Sequence, residues 1–308
     1  MPYTPPQNAT LDYARLIAVI GIIWFHAKAP GASIGYSGLA FFLMILMVLA
    51  LPQILSYRTQ RHRAPALLRY TAARAQRLLL PWVIASGLYG VLKLAEVANG
   101  APLDTEFTPV MWITGTAPHL WFLPFAFAMC LALWPLGIAL RRYDARIDLP
   151  LSLVLLSCAL LALWANQHAD LPLPFAQWAY ALPAVFLGAS FALLRDQPVH
   201  VLGLAALFVF AALSAQWTAG LLQLTLASGA LVICLLLPQH PSRWSGLCAR
   251  AAFLVYLIHP AVITILVRGG IAPAQSLALA VLTTFFSIGI VALWETIRLR
   301  EITPGTPA

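Results

Sequence analysis

The stretch RLIAVIGIIWFH starts with Arg15, ends with His26 and has ten apolar residues in between. In a helix, the eleven steps from Arg15 to His26 correspond to a rise of about 16 Å, and the two side chains return to within about 20° of one face. A guanidinium attracts phosphate, and a neutral imidazole accepts a proton. The stretch therefore predicts an anion-attracting end and a proton-accepting end on one helix face. The alternative for Arg15 is a pair with Asp12, three residues earlier, or a side chain that reaches back to the interface.

A second candidate is the arginine pair of RAQR, Arg74 and Arg77, which stands directly before the apolar LLLPW. Two guanidiniums three residues apart on one helix face suit a bidentate grip on phosphate. The alternative is ordinary anchoring of a membrane segment by cytoplasmic arginines.

Two further histidines, His119 in PHLWFLPF and His259 in FLVYLIHPA, are expected in the outer half of the membrane together with His26. Each is equally well explained as a hydrogen-bonded residue at a helix end. No HxxxH spacing is present, so we expect no metal site. For Glu295 the spacing favours an i,i+3 ion pair with Arg298.

The elements that must hold these residues are predicted to be membrane helices. The chain has 308 residues, of which 61% are hydrophobic and 9% charged, whereas soluble domains carry about 25% charged residues. Leucine and alanine dominate the apolar segments without strand-like alternation, so we expect an all-α polytopic bundle in one domain, 1–308. About ten segments are long enough to span a bilayer: 11–29, 33–56, 78–97, 118–140, 149–166, 177–194, 198–214, 217–237, 249–268 and 273–297.

The distribution of basic residues predicts that both termini are cytoplasmic. With that orientation three basic residues, Lys28, Lys93 and Arg268, lie outside and fourteen arginines lie inside, as the positive-inside rule requires. The inner set is Arg58, Arg61, Arg63, Arg69, Arg74, Arg77, Arg141, Arg142, Arg146, Arg195, Arg243, Arg250, Arg298 and Arg300. Topology thus accounts for the net charge of +8, and we expect no nucleic-acid partner. The four cysteines lack CxxC spacing and are expected to be free thiols.

The order of these motifs resembles the acyltransferase-3 family. The resemblance rests on RLIAVIGIIWFH, then RAQRLLLPW, HLWFL and FLVYLIHP, which are spread over most of the chain. The resemblance implies an integral-membrane enzyme that moves an acyl group, often acetyl, from coenzyme A to carbohydrate hydroxyls of cell-surface glycans. It also implies that His26 is the essential histidine, Arg15 its partner, and Arg74 and Arg77 the arginines on the coenzyme A side.

On this interpretation His26 acts as a general base on the acceptor hydroxyl, a role that contributes roughly 10² to 10⁴ in rate. His119, Trp121 and His259 are expected to bind substrate, with acyl-CoA as co-substrate, a glycan or lipid-linked sugar as acceptor, and a bacterial inner membrane as the location. Direct transfer and a covalent acyl-enzyme both remain open. A transporter or flippase is the alternative function, because buried polar residues in a helical bundle are typical of both classes. A structural membrane subunit is a third possibility.

Overall fold

A computed structural model describes residues 8–56, 63–140 and 147–302, and every regular element in these ranges is helical. The helices are α1 Ala9–His26, α2 Ala32–Gly35, α3 Ser37–Ser56, α4 Arg63–Arg74, α5 Leu80–Ala98, α6 Leu103–Glu106, α7 Met111–Thr114, α8 Phe122–Leu140, α9 Asp148–His168, α10 Phe175–Leu193, α11 Pro198–Ser214, α12 Leu221–Leu236, α13 Arg243–Arg268 and α14 Leu277–Ile302. A π-helical turn, Ala75–Leu79, joins α4 to α5. Part of the basic set behind the predicted orientation lies outside the described residues: Arg58, Arg61, Arg141, Arg142 and Arg146.

The predicted all-α membrane bundle is confirmed. Each of the ten apolar segments overlaps helix, and the described residues contain eight helical stretches that are long and apolar enough to cross a membrane. The other two segments form α11 and α12, which have 17 and 16 residues. These are shorter than the roughly 20 residues of an ordinary span. The number of spans and the orientation therefore stay predictions.

The chain divides into two compact units, which we call the central and the terminal unit. The central unit contains the described residues of Phe42–Leu235, and the terminal unit those of Gln7–Phe41 and Leu236–Ala308. The terminal unit is built around α1, α13 and α14, whereas α9 and α10 form the most extensive helix pair of the central unit. The single domain expected from the sequence remains a prediction.

In the terminal unit, the first turn of α1 is fixed to the segment that leads into α13. The backbone N–H of Ala9 donates to the carbonyl of Gln239 at 3.0 Å, and the Thr10 hydroxyl donates to the carbonyl of Leu237 at 2.6 Å. The Asn8 side chain caps α1 by accepting from the Thr10 N–H. Because α13 begins directly after this segment, α1 and α13 start at the same end of the unit.

In the central unit, small residues let helices pack with their backbones close together. A Cβ on Gly188 of α10 would lie only 2.6 Å from the Cα of Met44 in α3. Ser152 of α9 and Ser190 of α10 exchange hydrogen bonds between side-chain hydroxyl and backbone carbonyl, at 3.1 and 2.9 Å. Such contacts supply the packing that lipid-embedded helices cannot obtain from the hydrophobic effect.

Candidate functional site

Arg15 and His26 lie on one unbroken α-helix, α1, so the predicted rise of about 16 Å between them holds. Nη1 of Arg15 donates to Oδ1 of Asp12 at 2.9 Å, the i,i+3 ion pair that the sequence offered as an alternative. Both side chains are partly exposed, at 22% and 17%. The carboxylate therefore orients the guanidinium and leaves part of it accessible.

His26 lies beside His259, with ring centroids 5.2 Å apart. The helix lengths explain why the two rings meet. His26 is 17 residues after Ala9 on α1, and His259 is 16 residues after Arg243 on α13. These distances along the two helices correspond to rises of about 26 and 24 Å. Since both helices start at the same end and run parallel, both imidazoles reach the same level.

The protonation pattern of the His259 ring is set by its own helix. Nδ1 of His259 lies 2.7 Å from the carbonyl of Tyr256, which only accepts hydrogen bonds. Nδ1 therefore carries a proton, and a neutral His259 ring has its lone pair on Nε2. His259 is fully buried, whereas His26 is partly accessible.

The chain leaving α1 folds back tightly and places an aromatic ring near this histidine pair. Phe25 stacks on Tyr36 with centroids 4.2 Å apart, and its ring also meets His26 edge to face at 5.4 Å. Close packing of α1 against α2 makes the return possible, because a Cβ on Gly35 would collide with the carbonyl oxygen of Gly21. We call His26, His259, Phe25 and Tyr36 the histidine cluster.

In the central unit, Arg74 is almost fully buried, at 7% exposed, and its side chain has defined partners. Nη2 of Arg74 donates to Oε1 of Gln53 on α3. The guanidinium also lies over the Tyr70 ring, 5.1 Å from its centroid, in a cation–π contact. Tyr70 is fixed in turn by a 3.1 Å hydrogen bond from its hydroxyl to the carbonyl of Cys130.

Arg77 differs from Arg74 because the helix changes pitch between them. Arg74 ends α4, whereas Arg77 lies inside the π-helical turn and is exposed. The sequence predicted two guanidiniums on one helix face; the structure gives one buried and one exposed guanidinium. Single π-helical turns occur frequently at functional sites, so the change of pitch marks this segment independently of its arginines.

His119 and Trp121 precede α8 and are buried in the central unit, at 3% and 4% exposed. The His119 ring meets Tyr89 of α5 edge to face, with centroids 5.4 Å apart. Trp121 packs against Phe125 at 5.9 Å. Their proposed contact with substrate stays a prediction.

Glu295 forms an ion pair between two helices, and its predicted pair with Arg298 stays a prediction. Oε2 of Glu295 on α14 lies 3.2 Å from Nε of Arg250 on α13, so the ion pair that the structure shows joins two helices. Glu295 is buried and Arg250 half exposed. The side chain of Arg298, the predicted partner, lies outside the described residues.

Of the seven predicted site residues, the terminal unit holds Arg15, His26 and His259, and the central unit holds Arg74, Arg77, His119 and Trp121. Sequence reasoning missed Gln53 and Tyr70, which hold Arg74, and Tyr36 of the histidine cluster. Tyr70 stands four residues before Arg74, a spacing that places two side chains on one helix face. Gln53 is distant in sequence and gave no local signal.

The eight membrane-length apolar helices among the described residues, in an all-α fold, define an integral membrane protein. The family model described as an acyltransferase domain matches residues 8–294, so the chain belongs to the acyltransferase-3 family and is an acyltransferase. This match decides between the predicted classes in favour of acyl transfer rather than transport. Comparison with curated proteins and with solved structures returned no match.

Proposed function

We propose that the protein transfers an acyl group from coenzyme A to a hydroxyl of a cell-surface or lipid-linked glycan. The proposed acyl group is acetyl, and the proposed location is a bacterial cytoplasmic membrane. The observation that carries the proposal is the pairing of His26 with His259 at the same level of α1 and α13. Ionisable side chains are rare within membrane segments and are commonly functional. Of two imidazoles in contact, one can take the proton from the hydroxyl that receives the acyl group.

In the proposed reaction neutral His26 takes the proton of the acceptor hydroxyl. The oxygen attacks the thioester carbonyl, the carbon–sulfur bond breaks, and the imidazolium returns the proton to the departing sulfur of coenzyme A. An imidazole suits both steps because its ordinary pKa, about 6.5, lies near physiological pH. His26 rather than His259 is the proposed base, since His26 is partly accessible and His259 is fully buried.

The phosphates of coenzyme A are proposed to bind at Arg74 and Arg77. Arg77 is exposed and offers its guanidinium directly. Arg74 keeps a fixed position because Gln53 and Tyr70 hold it. One held and one exposed guanidinium suit a flexible polyphosphate, since a preorganised donor loses little entropy on binding.

Arg15 is proposed to assist at the other end of α1 from His26. Its pair with Asp12 leaves the guanidinium partly exposed. An anion that reaches this level would meet a cation already oriented by a carboxylate. The proposal for Arg15 therefore concerns binding of the donor, whereas His26 acts on the acceptor.

The test is acyl transfer by His26→Ala, measured with radiolabelled acetyl-CoA in isolated membranes and by mass spectrometry of surface polysaccharide. Loss of a general base predicts a fall in rate of roughly 10² to 10⁴ while the protein still accumulates in the membrane. The matched control is His168→Ala, which removes an exposed histidine at the end of α9. Normal transfer by His26→Ala, or an equal loss in His168→Ala, would contradict the proposal.

A further inference from the structure

The central unit contains a cavity that the proposed reaction does not use. Its volume is about 640 Å³, and it lies between α5 and the segment of residues 107–116, which contains α7. This volume is within the range of small-molecule sites. The described residues that line it are uncharged, with Trp82, Val83 and Ser86 on the α5 side and Met111 and Trp112 opposite. A phosphate or another charged group would find no counter-ion among these described lining residues.

Two polar atoms at the cavity are buried and have no hydrogen-bond partner among the described residues: Nε1 of Trp82 and Oγ of Ser86. They converge beside Gly115, next to the lining residue Thr116, because a Cβ built on Gly115 would lie 2.7 Å from the Ser86 oxygen and 2.8 Å from the Trp82 nitrogen. Gly115 has φ +82°, a conformation that favours glycine. The indole N–H donates only, so the matching ligand presents an acceptor at this end.

Two side-chain contacts fix the loop that closes the cavity. Nζ of Lys93 on α5 lies 2.8 Å from Oε2 of Glu106, at the end of α6. The Thr116 hydroxyl donates to the backbone carbonyl of Ser86 at 2.6 Å. Lys93 is seven residues beyond Ser86 on α5, a rise of about 10 Å. From Glu106 to Thr116 the loop therefore runs antiparallel to α5. It covers the middle of this membrane-length helix.

The cavity opens on an apolar surface. Val83 on one wall is 56% exposed and Trp112 on the other is 88% exposed. On α5 the exposed residues include further large hydrophobic ones, among them Ile84, Leu88 and Val91. Such a surface on a membrane-length helix faces hydrocarbon. A ligand that enters here comes from the bilayer.

We infer that this cavity binds an acyl chain of a bilayer glycerolipid together with its ester carbonyl. The chain lies along the uncharged walls, and the carbonyl oxygen accepts hydrogen bonds from the Trp82 indole and the Ser86 hydroxyl. The donors, the apolar walls and the lateral opening each match one part of this ligand. The site stands on the cavity alone and does not depend on the acyl-transfer reaction.

The experiment is photolabelling of the full-length protein in lipid nanodiscs, with a phosphatidylglycerol whose acyl chain carries a diazirine. We expect cross-links in the peptides that hold residues 82–87 and 107–116. Gly87 lines the cavity, and its Cβ position has no neighbour within 4 Å, so Gly87→Leu places a bulky side chain at the cavity. Gly203→Leu is the matched control, because Gly203 also lies in a helix with open space around it.

Gly87→Leu should lower labelling of these peptides at least fivefold, and Gly203→Leu should leave it unchanged. Equal labelling in Gly87→Leu and the wild type would overturn the proposal. A long-chain acyl-CoA that carries a diazirine is the second probe. If it labels these peptides in preference to the phosphatidylglycerol, the ligand does not come from the bilayer and the proposal is overturned. Labelling should persist in His26→Ala, because the site does not depend on the transfer reaction.

The ester carbonyl is tested by competition between an ester-linked and an ether-linked lipid of the same chain length. The ester lipid should compete about tenfold better, since about 1.4 kcal/mol corresponds to a factor of ten. The double variant Trp82→Phe, Ser86→Ala should abolish this difference while labelling continues. Equal competition by both lipids in the wild type would overturn the assignment of the carbonyl.

Discussion

At the scale of the residue, the histidine cluster shows how a backbone carbonyl determines the chemistry of a ring. The contact of 2.7 Å between Nδ1 of His259 and the carbonyl of Tyr256 occupies one nitrogen. The other nitrogen then presents a lone pair on the neutral ring. His259 is thereby suited to position His26, whose ring centroid lies 5.2 Å away.

Two substitutions of His259 test the roles of its two ring nitrogens separately. The amide N–H of His259→Asn replaces Nδ1–H at Tyr256 but supplies nothing at Nε2. We expect an unchanged midpoint of thermal unfolding, because the bond to Tyr256 is kept, and a kcat reduced about tenfold, because His26 loses the ring that positions it. His259→Gln retains a polar group near the Nε2 position and loses the bond to Tyr256, so its unfolding midpoint should fall. Equal thermal stability and equal kcat in both variants would contradict this assignment.

The two arginines of RAQR should respond differently to truncation. Arg74→Ala removes a buried guanidinium that Gln53 and Tyr70 hold, so we expect a loss of about 1–3 kcal/mol in stability. Arg77→Ala removes an exposed side chain and should change stability by less than about 0.5 kcal/mol. Both should raise KM for acyl-CoA. Thermal unfolding and steady-state kinetics measure the two effects, and matching stability losses would contradict the difference in burial.

Residue contacts were predictable where they are local. The Arg15–Asp12 pair follows from i,i+3 spacing, and the structure shows it. The meeting of His26 with His259 was not predictable, because it depends on which distant helices are neighbours and on where each begins. Glu295 illustrates the same limit, since its partner Arg250 lies 45 residues away.

At the scale of the element, the apolar segments predicted helix positions because about 20 apolar residues in lipid have few alternatives to helix. The π-helical turn at Ala75–Leu79 was not predicted, since its residues are ordinary helix formers. The short helices α6 and α7 were also missed, because the polar and proline-rich composition of 98–118 indicates a loop. Both features adjoin a proposed binding site.

Close helix packing in the central unit predicts the effect of a single methyl group. In Gly188→Ala the new Cβ would lie 2.6 Å from the Cα of Met44, so α10 and α3 must separate. Overpacking of this kind costs about 1–3 kcal/mol, and we expect a lower unfolding midpoint in detergent. Gly229→Ala in α12 is the control, because the space around Gly229 is open. An unchanged midpoint in Gly188→Ala would contradict the close approach.

At the scale of the whole molecule, the composition predicted an all-α integral membrane protein, and the structure and the family confirm it. Hydropathy reports which segments suit lipid but says nothing of how helices pair. The division into a central and a terminal unit therefore had no signal in the sequence. It depends on contacts between α1 and helices more than 200 residues later.

The predicted orientation is tested by cysteine accessibility in intact cells, in a background without the four native cysteines. Asp104 lies in the short helix α6, and His240 in the segment before α13; both are exposed. With cytoplasmic termini, Asp104→Cys should react with a membrane-impermeant maleimide from outside. His240→Cys should react only after permeabilisation. The reverse pattern would contradict the positive-inside assignment.

Because α1 and α13 start at the same end of the unit, the number of residues from each helix start to its histidine determines whether the two imidazoles meet. One residue inserted into α1 between Thr10 and His26 would lift that ring by about 1.5 Å and swing it by about 100°. Insertion between Arg243 and His259 would do the same to the opposite ring. Changes of length in the connection after α13, residues 269–276, would leave both of these intervals unaltered.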